Sequence, residues 1–145
     1  MRLLLKIVTG LLAFYAAFVV VFEAGYLGWA QPSFAGNGIP MMVLTTTDDA
    51  GDARSRMLAQ FNTDGALYAS AHHWPRGWYR RALQHPAVQV EIDGVVADYR
   101  AVSITGSEFE RVAAAHPLPF MVRFLMGFPP EREILRLDPA TPRPS

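Results

Sequence analysis

The sequence contains no cysteine, and charged side chains make up only 18% of its 145 residues. The absence of cysteine excludes disulfides, thiolate metal sites, iron–sulfur clusters and cysteine nucleophiles. Thirteen basic and thirteen acidic residues cancel at neutral pH, so net charge gives no reason to expect a nucleic-acid partner. The sequence also lacks a glycine-rich phosphate loop, a G-x-S-x-G motif and metal-type histidine spacing. A P-loop or Rossmann site, a serine hydrolase and a metal centre are therefore not expected.

The shortage of charge is concentrated in residues 1–30, which carry only Arg2, Lys6 and Glu23. The apolar stretch from Leu3 to Trp29 is long enough for a membrane span, which takes ~20 residues. We predict a single-pass membrane anchor over residues 1–30, with membrane lipid as its partner. A cleaved signal peptide is the alternative. Basic residues before the stretch favour an N-terminus in the cytoplasm, while the side on which the following domain lies stays open.

The remaining chain has the pattern of a small β-rich domain. Residues 31–40 contain two prolines and two glycines and are predicted to form a linker, followed by a domain over 41–139 and a proline-rich tail over 140–145. The expected elements begin with a strand at Met41–Thr47, a hairpin that pairs Arg56–Phe61 with Ala66–Ala71, and a helix at Gly77–His85. A second hairpin, of Val88–Ile92 with Val95–Thr105, follows. After it we expect a helix to Ala115 that begins with a capping box of Ser107 and Glu110, a short helix within 117–128, and a strand at Ile134–Leu137. Six or so short strands with few helices predict an α+β, mainly β fold, a closed or split β-barrel.

Arginine and aromatic side chains are concentrated at the start of the first predicted hairpin and in the helix that follows it. Arg54 and Arg56 follow an aspartate-rich turn, and Arg81 follows Trp78 and Tyr79. A guanidinium binds phosphate or carboxylate with two parallel hydrogen bonds, and aromatic rings cover flat ligands. The pattern predicts a site for an anionic, planar ligand. It is equally compatible with a solvated arginine face above a core tryptophan.

Two histidines in sequence, His72 and His73, are the remaining candidates for ligand chemistry. They are typical of polar residues at the end of a strand. One of them also suits haem, since a single imidazole suffices on one side of the iron.

Five pieces of sequence, in the same order, resemble the deazaflavin-dependent nitroreductase (quinone reductase) family. They are Leu44–Thr47 with Gly51–Arg54, Ala69–Ser70, Trp78–Tyr79 with Leu83–Pro86, Val88–Ile92 with the strand to Thr105, and Arg132–Pro139. The resemblance covers roughly residues 40–139. It implies a split β-barrel like the flavin-nucleotide-binding barrels, preceded here by the membrane helix.

The resemblance implies binding of the deazaflavin coenzyme F-420, with FMN as the alternative, and hydride transfer to a quinone or nitro-type acceptor. Arg54 and Ser70 occupy positions that contact the phosphate end of the cofactor in that family, and Trp78 would help to wall its ring. The cofactor contacts expected on this basis and from the arginine cluster are Arg54, Arg56, Ser70, His72, Trp78, Tyr79 and Arg81. No catalytic residue is assigned. A lipophilic acceptor and a homodimer are the other expected partners.

The chain departs from the family pattern where positive charge is expected. Asp48–Ala50 stand in place of a basic tripeptide, and Ala71 replaces the lysine after the serine. These changes leave open a non-catalytic barrel that holds a hydrophobic, flavin-like or haem-like ligand. The apolar residues from Phe120 to Met126 fit a lid, a membrane-facing patch or a core helix.

Overall fold

The computed structural model describes residues 2–22, 40–72, 76–125, 127–128 and 132–140. In these residues seven antiparallel strands form one sheet in the order β2-β1-β5-β6-β7-β4-β3. The strands are β1 (Met41–Thr47), β2 (Ala53–Ala59), β3 (Phe61–Thr63), β4 (Ala66–Ala71), β5 (Ala87–Ile92), β6 (Val95–Ser103) and β7 (Glu133–Pro139). The helices are α1 (Arg2–Val21), α2 (Gly77–Gln84), α3 (Gly106–Ala115) and α4 (Phe120–Leu125).

The sheet is curled because its two edge strands are neighbours in sequence. Strand β2 ends at Ala59 and β3 begins at Phe61, so Gln60 alone joins the two edges. Two peptide units span at most about 7 Å, whereas seven strands laid flat would separate the edges by about 29 Å. The sheet therefore bends into the half-barrel of the predicted α+β split-barrel fold.

The first predicted hairpin is wrong in its partner strand. Strand β2 pairs with β1 along its whole length, and only Phe61–Thr63 pairs with β4. The turn itself lies where the Asp-Gly pair predicts it, since Asp64 and Gly65 both have positive φ angles, of 53° and 78°. Two consecutive residues of positive φ are what a tight type I′ hairpin requires.

The core fills the concave side of the sheet, and α2 packs against it. Trp78, Tyr79 and Ala82 of α2 join the inward-facing residues of the strands in one buried cluster. The helix thus closes one part of the barrel interior. A second, smaller cluster lies on the other face of the sheet, where Val112 of α3 packs with Tyr68 and Ile134.

Helix α3 begins differently from the prediction. Its N-cap is Thr105, whose side chain makes no capping hydrogen bond, and Ser107 lies inside the first turn. The predicted capping box of Ser107 and Glu110 is therefore wrong. A hydrogen-bond network around Glu108 holds this end of the helix instead. Arg136 donates hydrogen bonds of 2.8 and 3.0 Å to the two carboxylate oxygens of Glu108, and the Tyr68 hydroxyl donates one of 3.1 Å to the same carboxylate.

Helix α1 is long and apolar enough to cross a membrane, a property it shares with signal sequences. None of its residues 2–21 is buried. The helix contacts the domain at Tyr15, whose ring stacks on that of Phe124 with centroids 5.0 Å apart. The rest of the predicted span, to Trp29, lies outside the described residues.

Glu108→Gln should lower the free energy of unfolding by about 1 kcal/mol, the difference between charged and neutral hydrogen bonds. The hydrogen bonds from Arg136 hold the pKa of Glu108 below its ordinary value of 4.5. The ionised carboxylate therefore stabilises the fold fully above pH 4.5, and this contribution disappears as the pH falls through the lower folded-state pKa. Urea unfolding of both proteins in detergent between neutral and acid pH measures the effect.

The stability difference between wild type and Glu108→Gln should shrink at acid pH. Glu110→Gln, an exposed change on the same helix, serves as the matched control and should show no such convergence. A constant difference at all pH values would show that Glu108 is not the group that titrates.

Candidate functional site

Two arginines of β2 lie on the inward face of the sheet. Side chains alternate along a strand, and Arg54 and Arg56 share the face of Leu58, which is buried in the core. Across the strand pair they lie opposite Thr46 and Leu44 of β1. The inward face of β2 thus changes from apolar at Leu58 to cationic at its N-terminal end.

Arg56 carries the strongest sign of a missing ligand. Its Nε atom is buried and has no hydrogen-bond partner among the described residues. Leaving a buried donor unpaired costs about 1–3 kcal/mol, and more for a charged group. An external acceptor, such as an oxygen of an anionic ligand, would satisfy this atom.

Arg81 reaches the same end of the β1–β2 pair from α2. Its Nε donates a 3.1 Å hydrogen bond to the hydroxyl of Thr46, a buried residue. The Thr46 hydroxyl donates a long bond of 3.4 Å to the carbonyl oxygen of Arg54. Three of the predicted cofactor residues, Arg54, Arg56 and Arg81, therefore lie around one place.

The two aspartates of the neighbouring turn are occupied by local contacts. One carboxylate oxygen of Asp48 accepts the backbone N–H groups of Ala50 and Asp52 at 3.1 and 3.0 Å. These bonds, first that from Asp52, lower the pKa of Asp48, with a further contribution from Arg54. The other oxygen lies 3.4 Å from Nε of Arg54. Asp49 contacts His85, with Oδ1 and Nε2 2.7 Å apart.

Ser70 and His72 lie apart from the three arginines. Ser70 is buried on the same face of β4 as Tyr68, which packs in the α3 cluster, rather than on the face of Ala69 and Ala71. Its hydroxyl lies 3.2 Å from Nδ1 of His72. His73 lies outside the described residues.

Trp78 and Tyr79 are core residues of α2. Trp78 is 5% exposed, and its ring meets that of Tyr79 edge-on, with centroids 6.0 Å apart. The Tyr79 hydroxyl lies 3.2 Å from that of Ser103 on β6. Of the two readings that the sequence allows for Trp78, the core position is the one the structure has, and a contact with a cofactor ring remains a prediction.

A cavity of about 450 Å³ is lined in part by Tyr79 and was not predicted from the sequence. This volume is within the range of small-molecule sites. Its lining includes Arg76, Tyr79, Ser103, Phe109, Arg132 and Glu133. The strand ends and the helix start that form the cavity are distant in sequence. In the sequence, only the arginine cluster around Trp78 and the Arg132–Glu133 piece indicated a site here.

The charged groups of the cavity wall are held in place. Arg76 donates a 2.8 Å hydrogen bond to Glu133. Arg132 donates bonds of 2.6 Å to the carbonyl oxygens of Ala113 and His116 at the end of α3, and its burial lowers the pKa of its guanidinium. The described residues contain no cluster of three histidines or acidic residues that could hold a metal ion. The charged part of the cavity wall is thus held in place by hydrogen bonds, without a metal centre among the described residues.

Comparison with known families identifies the fold and the lineage. Residues 30–118, more than half of the chain, match the family described as F420H(2)-dependent quinone reductase. The chain belongs to this family. The resemblance drawn from the sequence pieces is confirmed. The arginines and the cavity are therefore features of a quinone reductase family member.

Solved structures show the same fold at low identity. A reductase dependent on reduced F-420 (FDR-A) is 20% identical, with a TM-score of 0.54 over 68% of this chain and 94% of that one. The haem storage protein HutZ from Vibrio cholerae is 16% identical, with a TM-score of 0.55 over 76% and 89%. A structure described as a domain-swapped dimer is 18% identical, with a TM-score of 0.56 over 80% and 99%. No curated protein sequence matches the chain.

Membership of the family sets the role at the level of class. A member of the quinone reductase family with a split-barrel fold is a ligand-binding or oxidoreductase barrel. Identities of 16–20% to these three structures mark this chain as a divergent member of the family.

Proposed function

We propose that this quinone reductase family member is a membrane-anchored oxidoreductase that transfers hydride from reduced coenzyme F-420 to a quinone or nitro-type acceptor. FMN is the alternative cofactor. The observation that carries the proposal is the buried Nε of Arg56, which has no hydrogen-bond partner among the described residues, on the strand whose Arg54 lies opposite Thr46, the hydrogen-bond partner of Arg81. A buried guanidinium N–H that no described residue accepts fits a fold whose family takes an anionic cofactor.

The residues present fit the anionic part of such a cofactor. Arg54, Arg56 and Arg81 bring three positive charges to one end of the β1–β2 pair, and each guanidinium can pair with phosphate or carboxylate oxygens. Thr46 fixes the position of Arg81 by its 3.1 Å hydrogen bond. The bound cofactor supplies the hydride, and the chain binds and orients it and keeps water away.

Helix α2 connects the arginines to the cavity. Arg81 extends from it toward β1, and Tyr79 extends toward Ser103 and the cavity. We propose that the cavity receives a planar ring, with the paired hydroxyls of Tyr79 and Ser103 as its polar contact. Ser70 and His72 remain proposed contacts on the other face of β4.

Membrane attachment suits a lipophilic acceptor. In this proposal residues 1–30 form the single-pass anchor, 31–40 the linker, 41–139 the barrel and 140–145 the tail. The basic residues near the N-terminus favour its location in the cytoplasm. Similarity to a domain-swapped dimer supports a homodimer.

The direct test uses the full chain in phosphatidylcholine vesicles with reduced F-420 and a menaquinone-type acceptor under nitrogen. Reoxidation of F-420, followed by its visible absorbance, should require both protein and quinone. Reduced FMN in place of F-420 identifies the cofactor. Absence of quinone-dependent oxidation with either cofactor would contradict the proposed reaction.

A non-catalytic barrel is the second candidate, and the contact of Asp48 with Arg54 favours it, because an internal carboxylate competes with the ligand. Such a protein would bind F-420, FMN or haem without catalysing turnover. Absorbance spectra of the protein after incubation with each ligand separate it from the oxidoreductase.

Asp48→Asn should strengthen F-420 binding by up to about fivefold, the range of exposed ion pairs. The amide oxygen can still accept the turn hydrogen bonds from Ala50 and Asp52, while Arg54 loses its competitor. Fluorescence titration at low and high salt measures the effect, which should shrink as salt screens charge.

Asp93→Asn is the matched control, since Asp93 lies in another hairpin turn, where its positive φ suits asparagine, and loses the same charge. Equal strengthening in both variants would show a general charge effect. Unchanged affinity in Asp48→Asn would remove Arg54 from the binding site.

A further inference from the structure

Helix α4 exposes large apolar side chains. Phe120 and Met121 are 69% and 61% exposed, and Phe128 just beyond the helix is also exposed. At 100° per residue, Phe120, Met121, Phe124 and Leu125 fall within an arc of about 140°, with Arg123 outside it. The short helix therefore has an apolar surface that the fold of the domain leaves uncovered, with one charged residue, Arg123, outside it.

The same segment is attached to the candidate membrane span. The Tyr15 hydroxyl of α1 donates a 2.6 Å hydrogen bond to the carbonyl oxygen of Phe124, and their rings stack. The chain after α4 also touches α1, because a Cβ on Gly127 would lie 2.7 Å from Cγ1 of Val19. A glycine at this position permits the close approach.

The position of this contact along α1 follows from helix geometry. Twenty residues of α1 are about 30 Å long, which matches the hydrocarbon core of a bilayer. Tyr15 and Val19 lie in the half of α1 from which the chain continues to the domain. Helix α4 therefore contacts the candidate span on the side of the membrane where the domain lies.

We propose that α4 is a second membrane contact, which lies in the interface of the phospholipid bilayer with its apolar arc toward the acyl chains and Arg123 toward the headgroups. This inference rests on the proposed membrane anchor. A second contact fixes the orientation of the barrel on the bilayer. A single span that is joined to the barrel by a linker does not fix that orientation.

The orientation has a consequence for the acceptor. Helix α4 lies between α3 and β7 in the chain, and both of these elements line the cavity through Phe109 and Glu133. Two of the elements that line the cavity are thus the ones between which α4 lies in the chain. A lipophilic acceptor dissolved in the bilayer would then have a short path to it.

The test uses the absence of cysteine from the chain, which makes any introduced thiol the only one. An environment-sensitive fluorophore is attached to Met121→Cys, to Leu12→Cys on α1 and to Glu91→Cys, an exposed position on β5. Each full-length protein is placed in phosphatidylcholine vesicles that contain a lipid with a nitroxide on its acyl chain. Circular dichroism and thermal unfolding check that each labelled protein is folded.

We expect the nitroxide lipid to quench most of the fluorescence at positions 12 and 121 and little at position 91. Quenching at 12 but not at 121 would overturn the inference while leaving the anchor intact. Loss of quenching at 12 as well would contradict the anchor itself. Shielding of position 121 from aqueous iodide without quenching by the lipid would show that protein, such as a second copy, covers α4. Equal quenching at 91 and 121 would also contradict a contact specific to α4.

Discussion

Arg56→Met should weaken F-420 binding by roughly 10- to 150-fold, the equivalent of a charge-assisted hydrogen bond of about 1.5–3 kcal/mol. The same change should leave the free energy of unfolding unchanged or raise it, because it removes a buried donor that has no partner among the described residues. Methionine keeps most of the apolar stem of Arg56, which shares the face of β2 with Leu58. Fluorescence titration and urea unfolding of the detergent-solubilised protein measure the two effects separately.

The opposite direction of the two effects is what distinguishes a ligand-binding arginine from a structural one. Arg80→Met, which removes the same charge from an exposed position of α2, is the matched control and should change neither quantity much. A clear loss of stability in Arg56→Met with unchanged cofactor affinity would show that Arg56 serves the fold and not the site.

Trp78→Ala should lower the free energy of unfolding by about 3–5 kcal/mol, the usual cost of truncating a buried aromatic residue. Trp78 lies in the main core cluster and contacts Tyr79. Its loss would loosen the docking of α2, which carries both Arg81 and the cavity residue Tyr79. Thermal and urea unfolding test the stability, and cofactor binding should fall in the same variant.

Two further variants separate packing from ligand contact. Leu83→Ala, on the exposed side of α2, should change stability by no more than about 0.5 kcal/mol. Trp78→Phe retains an aromatic ring in the core, so a large loss of binding with near-normal stability in that variant would support a wall for the cofactor ring. A small stability loss in Trp78→Ala would contradict the packing of α2 described above.

Local patterns predicted the elements well because each is dictated by short-range chemistry. The Asp-Gly pairs at 64–65 and 93–94 require positive φ angles and are found in turns. β-Branched residues marked β1, alternating apolar residues marked β5, and Pro86 marked the end of α2. The capping box failed because α3 begins at Gly106, two residues before the Glu108 start that a Ser107 cap requires.

Pairing between strands was harder to predict because it depends on the whole sheet. Arg56–Phe61 was expected to pair with β4 since the two are adjacent in sequence, but β2 gains more hydrogen bonds by pairing along β1. This error matters for the site. With the wrong strand pairing, the sequence does not show that Arg54 and Arg56 face inward beside Thr46. Nor does it show that Ser70 lies on the opposite face of the sheet. The cavity combines residues from α2, β6, α3 and β7, and no local pattern links them.

The most direct test of the central claim is a fluorescence titration of the full, detergent-solubilised chain with F-420 and, separately, with FMN. The claim is that the arginines of β2 and α2 hold a deazaflavin-type cofactor. It predicts saturable binding of F-420, weakened in Arg56→Met and preserved in Arg80→Met. Absence of binding by both cofactors, or F-420 binding that does not depend on Arg56, would contradict it.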